Sequence, residues 1–317
     1  MKSIENVAVI GLGTMGHGIA QAYAAAGLRV YAFDEVAAAR TSLHARVRKN
    51  LQQFVRAGLA TKRSVEPTLK RIVVCDTLEA AVREAQFVTE TVREDLKTKQ
   101  KLLAKLEGMV GPQTILASNS STFPISASGA RLRRPGRAIV THWFNPPHIV
   151  PTVEVVPGRR TSAATTRAAL ALLTRVGKQA IHLRKEVPGF LVNRIQIAMT
   201  REVWSMLDEG VASVDDIDRA IRGSLGFRLA AIGPLEVADF GGLDIHARVF
   251  NNLAPEICSG TRLSPTVAKL VKAGHFGAKT GRGFYSYAPR ELEARRTRRD
   301  RRFLALLKLL HARAGAA

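Results

Sequence analysis

His142 and Glu154 are the two residues whose types and positions best fit proton transfer. His142 lies near the end of an apolar run, residues 137–143, that predicts a strand, and Glu154 lies between two valines in the next run, residues 152–156. A carboxylate flanked by β-branched apolar side chains is costly to bury without a partner, and His142 is the obvious candidate. A carboxylate on one ring nitrogen would fix the imidazole tautomer for work as a general base. The residues equally allow Glu154 to face solvent on an edge strand and His142 to be a satisfied core histidine.

A glycine-rich turn near the N terminus is a second candidate for chemistry. The apolar run at residues 7–10 stops at the sequence G-L-G-T-M-G, and a small-residue helical pattern follows. Strand, glycine turn and helix in this order are typical of a dinucleotide site, because the glycines allow the turn, the approach of a pyrophosphate and close packing of helix on strand. The helix N terminus offers free N–H groups to the phosphates. We predict that the cofactor binds at Gly11, Gly13, Thr14, Met15 and Gly16.

The next apolar run favours NAD as the cofactor. It covers residues 29–33 and ends in Asp34. A carboxylate about 20 residues into such a unit suits the two ribose hydroxyls of NAD. Glu35 follows, with no arginine beside it, so the 2′-phosphate of NADP would meet repulsion.

Length and composition limit the class of protein. A chain of 317 residues with 46% hydrophobic residues fits two globular domains. No apolar stretch reaches the ~18–20 residues that a membrane span needs, and the first strand starts too early for a signal peptide. Cys75 and Cys258 have no C-x-x-C or histidine neighbour, so metal and redox motifs are absent. We therefore expect a cytoplasmic protein without a metal.

The chain is strongly basic, with 48 Lys and Arg against 26 Asp and Glu, a formal net charge of +22. Such a field attracts anions, including nucleotides, CoA thioesters and nucleic acid. We interpret it as a solvated basic face, since nucleic-acid binding would need interleaved aromatic residues or a known motif. Residues 289–317 predict a basic helix that packs on the body or on a second subunit. Its apolar residues at helical spacing are Phe303, Leu306, Leu307 and Leu310.

The alternation of strand-like and helical patterns predicts the fold. Up to residue 185 it indicates a doubly wound, mostly parallel sheet of the Rossmann type. After that point helical patterns dominate and predict an all-α domain. We place the NAD-binding domain at residues 1–185, the helical domain at 186–288 and a basic C-terminal helix or tail at 289–317.

Polar residues follow two of the predicted strands. Ligands of doubly wound sheets bind beyond the carboxyl ends of the strands. Glu94 follows strand four, and Ser121 lies in the polar stretch after strand five. Asn193 lies in the first turn of the helix that opens the second domain, where asparagine is usually a cap or solvated.

Residues 4–288 resemble the 3-hydroxyacyl-CoA dehydrogenase family. Six motifs carry the resemblance, and K-F-G-x-K-T-G-x-G-F-Y is echoed by residues 275–285. The six are G-L-G-T-M-G at 11–16, E-D-L-K-x-K at 94–99, S-N-S-S at 118–121, H-W-F-N-P-P at 142–147, V-E-V-V at 153–156 and P-G-F-L-V-N-R at 188–194.

The resemblance implies NAD-dependent oxidation of a 3-hydroxyacyl-CoA to the 3-ketoacyl-CoA, and the reverse, as in fatty acid metabolism. His142 would be the general base, Glu154 would orient it, and Ser121 and Asn193 would hold the substrate oxygen. The resemblance also implies a homodimer through the helical domain and a site that closes between domains. Glu94, Lys99 and Asn145 match positions that line the nicotinamide and ribose side.

The chain departs from the usual family pattern directly after this histidine motif. The family reads F-F-N-P-V-P-x-M, whereas Asn145 is here followed by P-P-H-I-V-P. This version resembles a branch with lambda-crystallin-type gulonate dehydrogenases and a pyridine-carboxylate dehydrogenase, which act on free acids. The alternative function is therefore NAD-dependent dehydrogenation of a free hydroxy acid or a hydroxymethyl aromatic carboxylate. A 3-hydroxyisobutyrate-type enzyme is disfavoured, because residues 191–201 lack its catalytic lysine. The intact set of site residues argues against a protein that has lost activity.

Overall fold

An eight-stranded sheet is the central element of the computed structural model, which describes residues 3–314. Its strands are β1 Asn6–Ile10, β2 Arg29–Phe33, β3 Ile72–Val74, β4 Phe87–Glu90, β5 Ile115–Ser118, β6 Ala138–Trp143, β7 Thr152–Pro157 and β8 Gln179–His182. The order across the sheet is β3-β2-β1-β4-β5-β6-β7-β8, and neighbours run parallel except for β6 and β7. The strand order reverses between β1 and β4, so the predicted Rossmann-type sheet is confirmed.

Helices cover both faces of this sheet. They are α1 Gly16–Ala25, α2 Ala37–Thr41, α3 Leu43–Arg56, α4 Val65–Lys70, α5 Leu78–Val82, α6 Leu96–Met109, α7 Ile125–Ser128 and α8 Ala163–Arg175. Short 3₁₀ turns lie at Lys62–Ser64 and Pro135–Arg137. Because side chains alternate along a strand, Val7 and Val9 pack with α1, α3 and α8, while Ala8 and Ile10 pack with α5 and α6.

The structure differs from the sequence prediction in the stretch after β2. The helical pattern of residues 37–57 predicts one helix, but in the structure it is interrupted at Ser42, whose hydroxyl donates to the carbonyl of Ala38 at 2.6 Å. Such a local hydrogen bond competes with a continuous helix. The sequence also predicts a break at Pro67, but this proline lies in the first turn of α4, where no N–H partner is needed.

The C-terminal part of the chain is helical, as predicted. Its helices are α9 Val192–Asp208, α10 Val214–Gly223, α11 Leu225–Leu229, α12 Pro234–Gly241, α13 Leu243–Leu253, α14 Pro265–Lys272 and α15 Pro289–Ala314. None of the helices within residues 3–314 is both long and apolar enough to cross a lipid bilayer.

The contacts divide the chain into two units. One takes in the chain up to Asn193 and again from Arg296 onward, and the other spans Arg194–Arg295. The predicted domain limits at residues 185 and 288 stay predictions.

The last helix is partly docked rather than wholly solvated. Leu304 and Leu307 are 3% and 6% exposed and pack with Ile149, whereas Phe303 and Leu306 are 37% and 48% exposed. Packing on the body, one of the two predicted alternatives for this helix, is confirmed by these contacts, and the apolar stripe starts at Leu304, one residue later than expected. The predicted stripe residue Leu310 is half-buried.

Candidate active site

The antiparallel pairing of β6 and β7 places His142 directly opposite Glu154. The imidazole Nδ1 lies 2.7 Å from Glu154 Oε2, and the two residues are 3% and 0% exposed. A carboxylate can only accept, so Nδ1 donates and Nε2 is left to accept a proton. Of the two alternatives left open by the sequence, the solvent-facing Glu154 is wrong.

The other oxygen of Glu154 is also satisfied. Its Oε1 accepts hydrogen bonds from the backbone amides of Leu191 at 3.0 Å and Val192 at 2.8 Å. The turn that delivers these amides has positive φ at Gly189 (74°) and Phe190 (55°). A left-handed backbone is costly for a residue with a Cβ, and such strain clusters at functional sites.

Two aromatic rings hold the imidazole from its sides. The Phe144 and Phe190 ring centroids lie 4.5 and 5.5 Å from that of His142, and Phe190 is 0% exposed. Sequence reasoning missed both rings. The Pro188-Gly189 pair before Phe190 was the available signal, because it marks a tight turn.

Glu94 organises the loop that follows β5. Its Oε1 accepts hydrogen bonds from Ser120 Oγ at 2.6 Å, Ser121 N at 2.8 Å and Thr122 N at 2.9 Å. Burial by itself would raise the pKa of Glu94, but the Ser120 hydroxyl, the Lys99 charge and the two amides together hold that pKa below its ordinary value. The carboxylate therefore stays ionised at neutral pH.

Asn193 joins this loop. Its Nδ2 donates to the backbone oxygen of Ser121 at 2.9 Å. The asparagine thus binds the loop after β5 with its amide and is not used as a cap of α9. The structure brings Ser121, Asn193 and Glu94 into one connected group.

Lys99 lies one contact behind Glu94. The lysine is 0% exposed, and its Nζ lies 2.9 Å from Glu90 Oε1 and 3.3 Å from Glu94 Oε2. Sequence reasoning placed Lys99 on the cofactor side and missed Glu90 altogether. Asn145, by contrast, is exposed, and its side chain makes no hydrogen bond within the described part of the chain.

The glycine turn has the shape that a dinucleotide needs. Gly11 has φ of 94°, and a Cβ on Gly16 would lie 1.8 Å from the Gly11 oxygen, so both positions require glycine. A Cβ on Gly13 would meet nothing within 4 Å. This open space beside the N terminus of α1 fits a pyrophosphate. Thr14 is exposed, and Met15 is the residue just before α1.

Asp34 directly follows β2 and lies beside the glycine turn. Its Oδ2 accepts from Leu12 N at 2.6 Å and its Oδ1 from Val36 N at 2.8 Å. An ionised carboxylate has about four acceptor positions, so two remain for ribose hydroxyls. Arg40 does lie nearby in space, but its Nη1 donates to the Asp34 and Glu35 carbonyls, at 2.6 and 3.3 Å.

Two family models together match the chain from residue 6 to residue 287, apart from residue 188. The NAD binding domain of 3-hydroxyacyl-CoA dehydrogenase matches residues 6–187, and the C-terminal domain of 3-hydroxyacyl-CoA dehydrogenase matches residues 189–287. The chain belongs to the 3-hydroxyacyl-CoA dehydrogenase family. This family member is an NAD-dependent dehydrogenase that acts on a CH–OH group.

Individual relatives differ in substrate. A 5-formyl-3-hydroxy-2-methylpyridine 4-carboxylate 5-dehydrogenase from Mesorhizobium japonicum is 33% identical over 310 residues, 98% of this chain and 99% of its own. A crystal structure of an enzyme of that activity has a TM-score of 0.91 at 32% identity and covers 97% of this chain and 99% of its own. A probable 3-hydroxybutyryl-CoA dehydrogenase from Bacillus subtilis is 36% identical over 285 residues, 90% of this chain and 98% of its own.

The dehydrogenase has a firmly held loop after the histidine strand. Lys178 Nζ donates to the carbonyls of Pro147 and Val150, each at 2.7 Å. Burial lowers the pKa of Lys178 to about 8. From the other side, Ile149 is 2% exposed and packs against Leu304 and Leu307 of α15. The loop that departs from the usual family sequence is thus fixed by a lysine and by the last helix.

Proposed function

We propose that this dehydrogenase acts on a free carboxylic acid, either a hydroxy acid or a hydroxymethyl aromatic carboxylate, and not on a CoA thioester. The observation that carries the proposal is the docking of α15 on Ile149, in the loop that follows His142. The family models end at residue 287, before α15 begins. The M. japonicum relative, named for a pyridine carboxylate, matches along nearly the whole chain.

A CoA thioester is the second candidate. The B. subtilis relative supports it, because it is 36% identical over 285 residues and is named a probable 3-hydroxybutyryl-CoA dehydrogenase. That match takes up 98% of the relative and leaves it no further segment as long as α15. The net charge of +22 does not separate the candidates, since both substrates are anionic.

The reaction divides between the cofactor and a few side chains. NAD, when bound, would supply the acceptor for the hydride of the substrate carbon. His142 Nε2 takes the hydroxyl proton, while Glu154 holds the ring through Nδ1 and stabilises the imidazolium. Ser121 and Asn193 position the substrate oxygen, and the rings around the imidazole limit access of water.

The cofactor side follows from the same geometry. The turn from Gly11 to Gly16 would hold the pyrophosphate, Thr14 and Met15 lie in that turn, and Asp34 would bind the ribose. Glu94 and Asn145 would line the nicotinamide side, and Lys99 would act there through Glu94.

The test is NADH oxidation at matched concentrations of acetoacetyl-CoA, free acetoacetate and a formyl-substituted aromatic carboxylate, with the His142→Gln variant as blank. We expect turnover with a free acid and none with the thioester. Turnover with the thioester alone would overturn the proposal in favour of the CoA enzyme.

We also propose that the chain forms a homodimer through its helical unit. Among residues 194–295, all of which the structure describes, no apolar side chain is buried. Leu235, Phe240 and Phe227 are 82%, 79% and 75% exposed. A helical unit that buries no apolar side chain needs a partner surface, and a second copy of the same unit supplies one.

A further inference from the structure

Glu90 is a buried carboxylate that the proposed mechanism does not use. It ends β4, opposite Ile10 and Ser118 of the neighbouring strands, and is 0% exposed. Its Oε1 accepts from Lys99 Nζ at 2.9 Å and Val92 N at 2.7 Å, and its Oε2 accepts from Ser118 Oγ at 2.6 Å. A buried ion pair is weak evidence for stability, so another reason for its position is needed.

Lys99 joins Glu90 to the surface of the site. Its Nζ lies 2.9 and 3.1 Å from the two Glu90 oxygens and 3.3 Å from Glu94 Oε2. The Glu94 side chain is 33% exposed, whereas those of Glu90 and Lys99 are fully enclosed. Without the Glu90 charge, the ammonium would have Glu94 as its one carboxylate partner and would draw that side chain inward.

Any shift of Glu94 passes directly to the residues that would hold the substrate oxygen. The opposite oxygen of Glu94 fixes the amides of Ser121 and Thr122. The carbonyl of Ser121 in turn accepts the amide of Asn193. An unbroken series of contacts thus runs from Glu90 through Lys99, Glu94 and Ser121 to Asn193.

We propose that Glu90 is a positioning residue for the dehydrogenase reaction, acting through Lys99 on Glu94 and the Ser121 loop. It touches neither substrate nor cofactor. Its charge balances Lys99, so that Glu94 stays turned toward the loop amides. The inference rests on the proposed roles of Ser121 and Asn193 but not on the choice between free acid and thioester.

The first measurement is steady-state kinetics of Glu90→Gln with whichever substrate class the wild type turns over. Misplacement of the substrate-oxygen groups is expected to lower kcat about 10- to 100-fold. The NAD Kd should change by a smaller factor, because Glu94 lines only the nicotinamide side and the glycine turn is untouched. The matched control is Glu107→Gln. Glu107 also accepts two backbone amides, those of Arg133 and Arg134, but has no contact with the site residues. An unchanged kcat in Glu90→Gln, or an equal loss in the control, would overturn the proposal.

A second measurement needs no turnover. Hydrogen exchange at the Ser121 and Thr122 amides should become faster in Glu90→Gln and stay unchanged in Glu107→Gln, because only the first disturbs their acceptor Glu94. A loss of kcat without faster exchange would show that Glu90 does not act through this loop. If neither substrate class is turned over, the proposed function fails, while the exchange result still decides whether Glu90 holds the loop.

The variant Glu90→Gln/Lys99→Met guards against misfolding, because it removes both buried charges together. It should fold and show a smaller fall in kcat than Glu90→Gln, because the ammonium that would draw Glu94 inward is removed together with its partner and the two effects are not additive. A fall equal to the product of the two single effects would contradict the series.

Discussion

His142 and Glu154 face each other across antiparallel strands β6 and β7, so the sheet register fixes their hydrogen bond of 2.7 Å. Both side chains project from paired strands, so neither depends on a loop for its position. The second oxygen of Glu154 is held by two backbone amides at the start of α9, which prevents the carboxylate from rotating away. The imidazole is thus set before any substrate arrives.

Replacement of Glu154 by glutamine should lower kcat about 10- to 100-fold, because the ring loses the anion that stabilises its protonated form. His142→Gln should cost more, about 10²- to 10⁴-fold, the range for loss of a general base. NAD affinity should stay the same in both variants, as measured by fluorescence titration of NADH.

Glu107→Gln is the control for the loss of a hydrogen-bonded carboxylate, since Glu107 also accepts two backbone amides. The assignment of His142 as base would be wrong if His142→Gln kept more than a tenth of wild-type kcat.

The sequence predicted the sheet well because its signals are local. Apolar runs of four to seven residues became the strands, and the glycine turn adopted the conformation that its spacing requires. The pairing of His142 with Glu154 was one of two alternatives that the residues left open, and the register of β6 and β7 decides between them. The predictions that failed depend on tertiary packing. The choice of Leu304 over Phe303 on α15 could not be read from spacing, because both fit a helical stripe.

The ion pairs of Lys99 with Glu90 and Glu94 could not be predicted for a similar reason. Glu90 appears in the sequence as an acid at the end of an apolar run, and only the fold brings Lys99 from α6 against it. The position of Phe190 beside His142 could not be predicted either, because its positive φ is unusual for a residue other than glycine and has no signature in the sequence.

The helical unit should be dimeric in solution. We expect light scattering after size exclusion to give twice the chain mass at micromolar concentration. Leu235 is 82% exposed, and Leu235→Asp places a charge in the proposed interface. This variant should shift the protein toward the monomer or to precipitation. Val36→Asp is the control, because Val36 is 60% exposed but lies outside the helical unit. A wild-type monomer would contradict the proposal.

His148 should make the protein acid-sensitive. Burial, with the neighbouring charges of His17, Lys178 and Arg299, lowers the pKa of His148 from 6.5 to about 3, and its Nδ1 finds no hydrogen-bond partner within residues 3–314. Between these two values the unfolded chain binds the proton and the folded chain does not, so this stability is present above pH 6.5 and is lost as the pH falls toward 3. The loss between pH 7 and 5 amounts to about 2 kcal/mol.

Urea unfolding at pH 7 and pH 5 measures this loss. The wild type should lose about 2 kcal/mol more over that interval than His148→Gln, which has no proton to bind. His182→Gln removes an exposed histidine instead, and this variant should behave as the wild type. Equal losses of unfolding free energy in wild type and His148→Gln would mean that His148 is protonated as easily in the folded chain as in the unfolded one. The contact of His148 with Gly18 and Pro147 would then not affect its pKa.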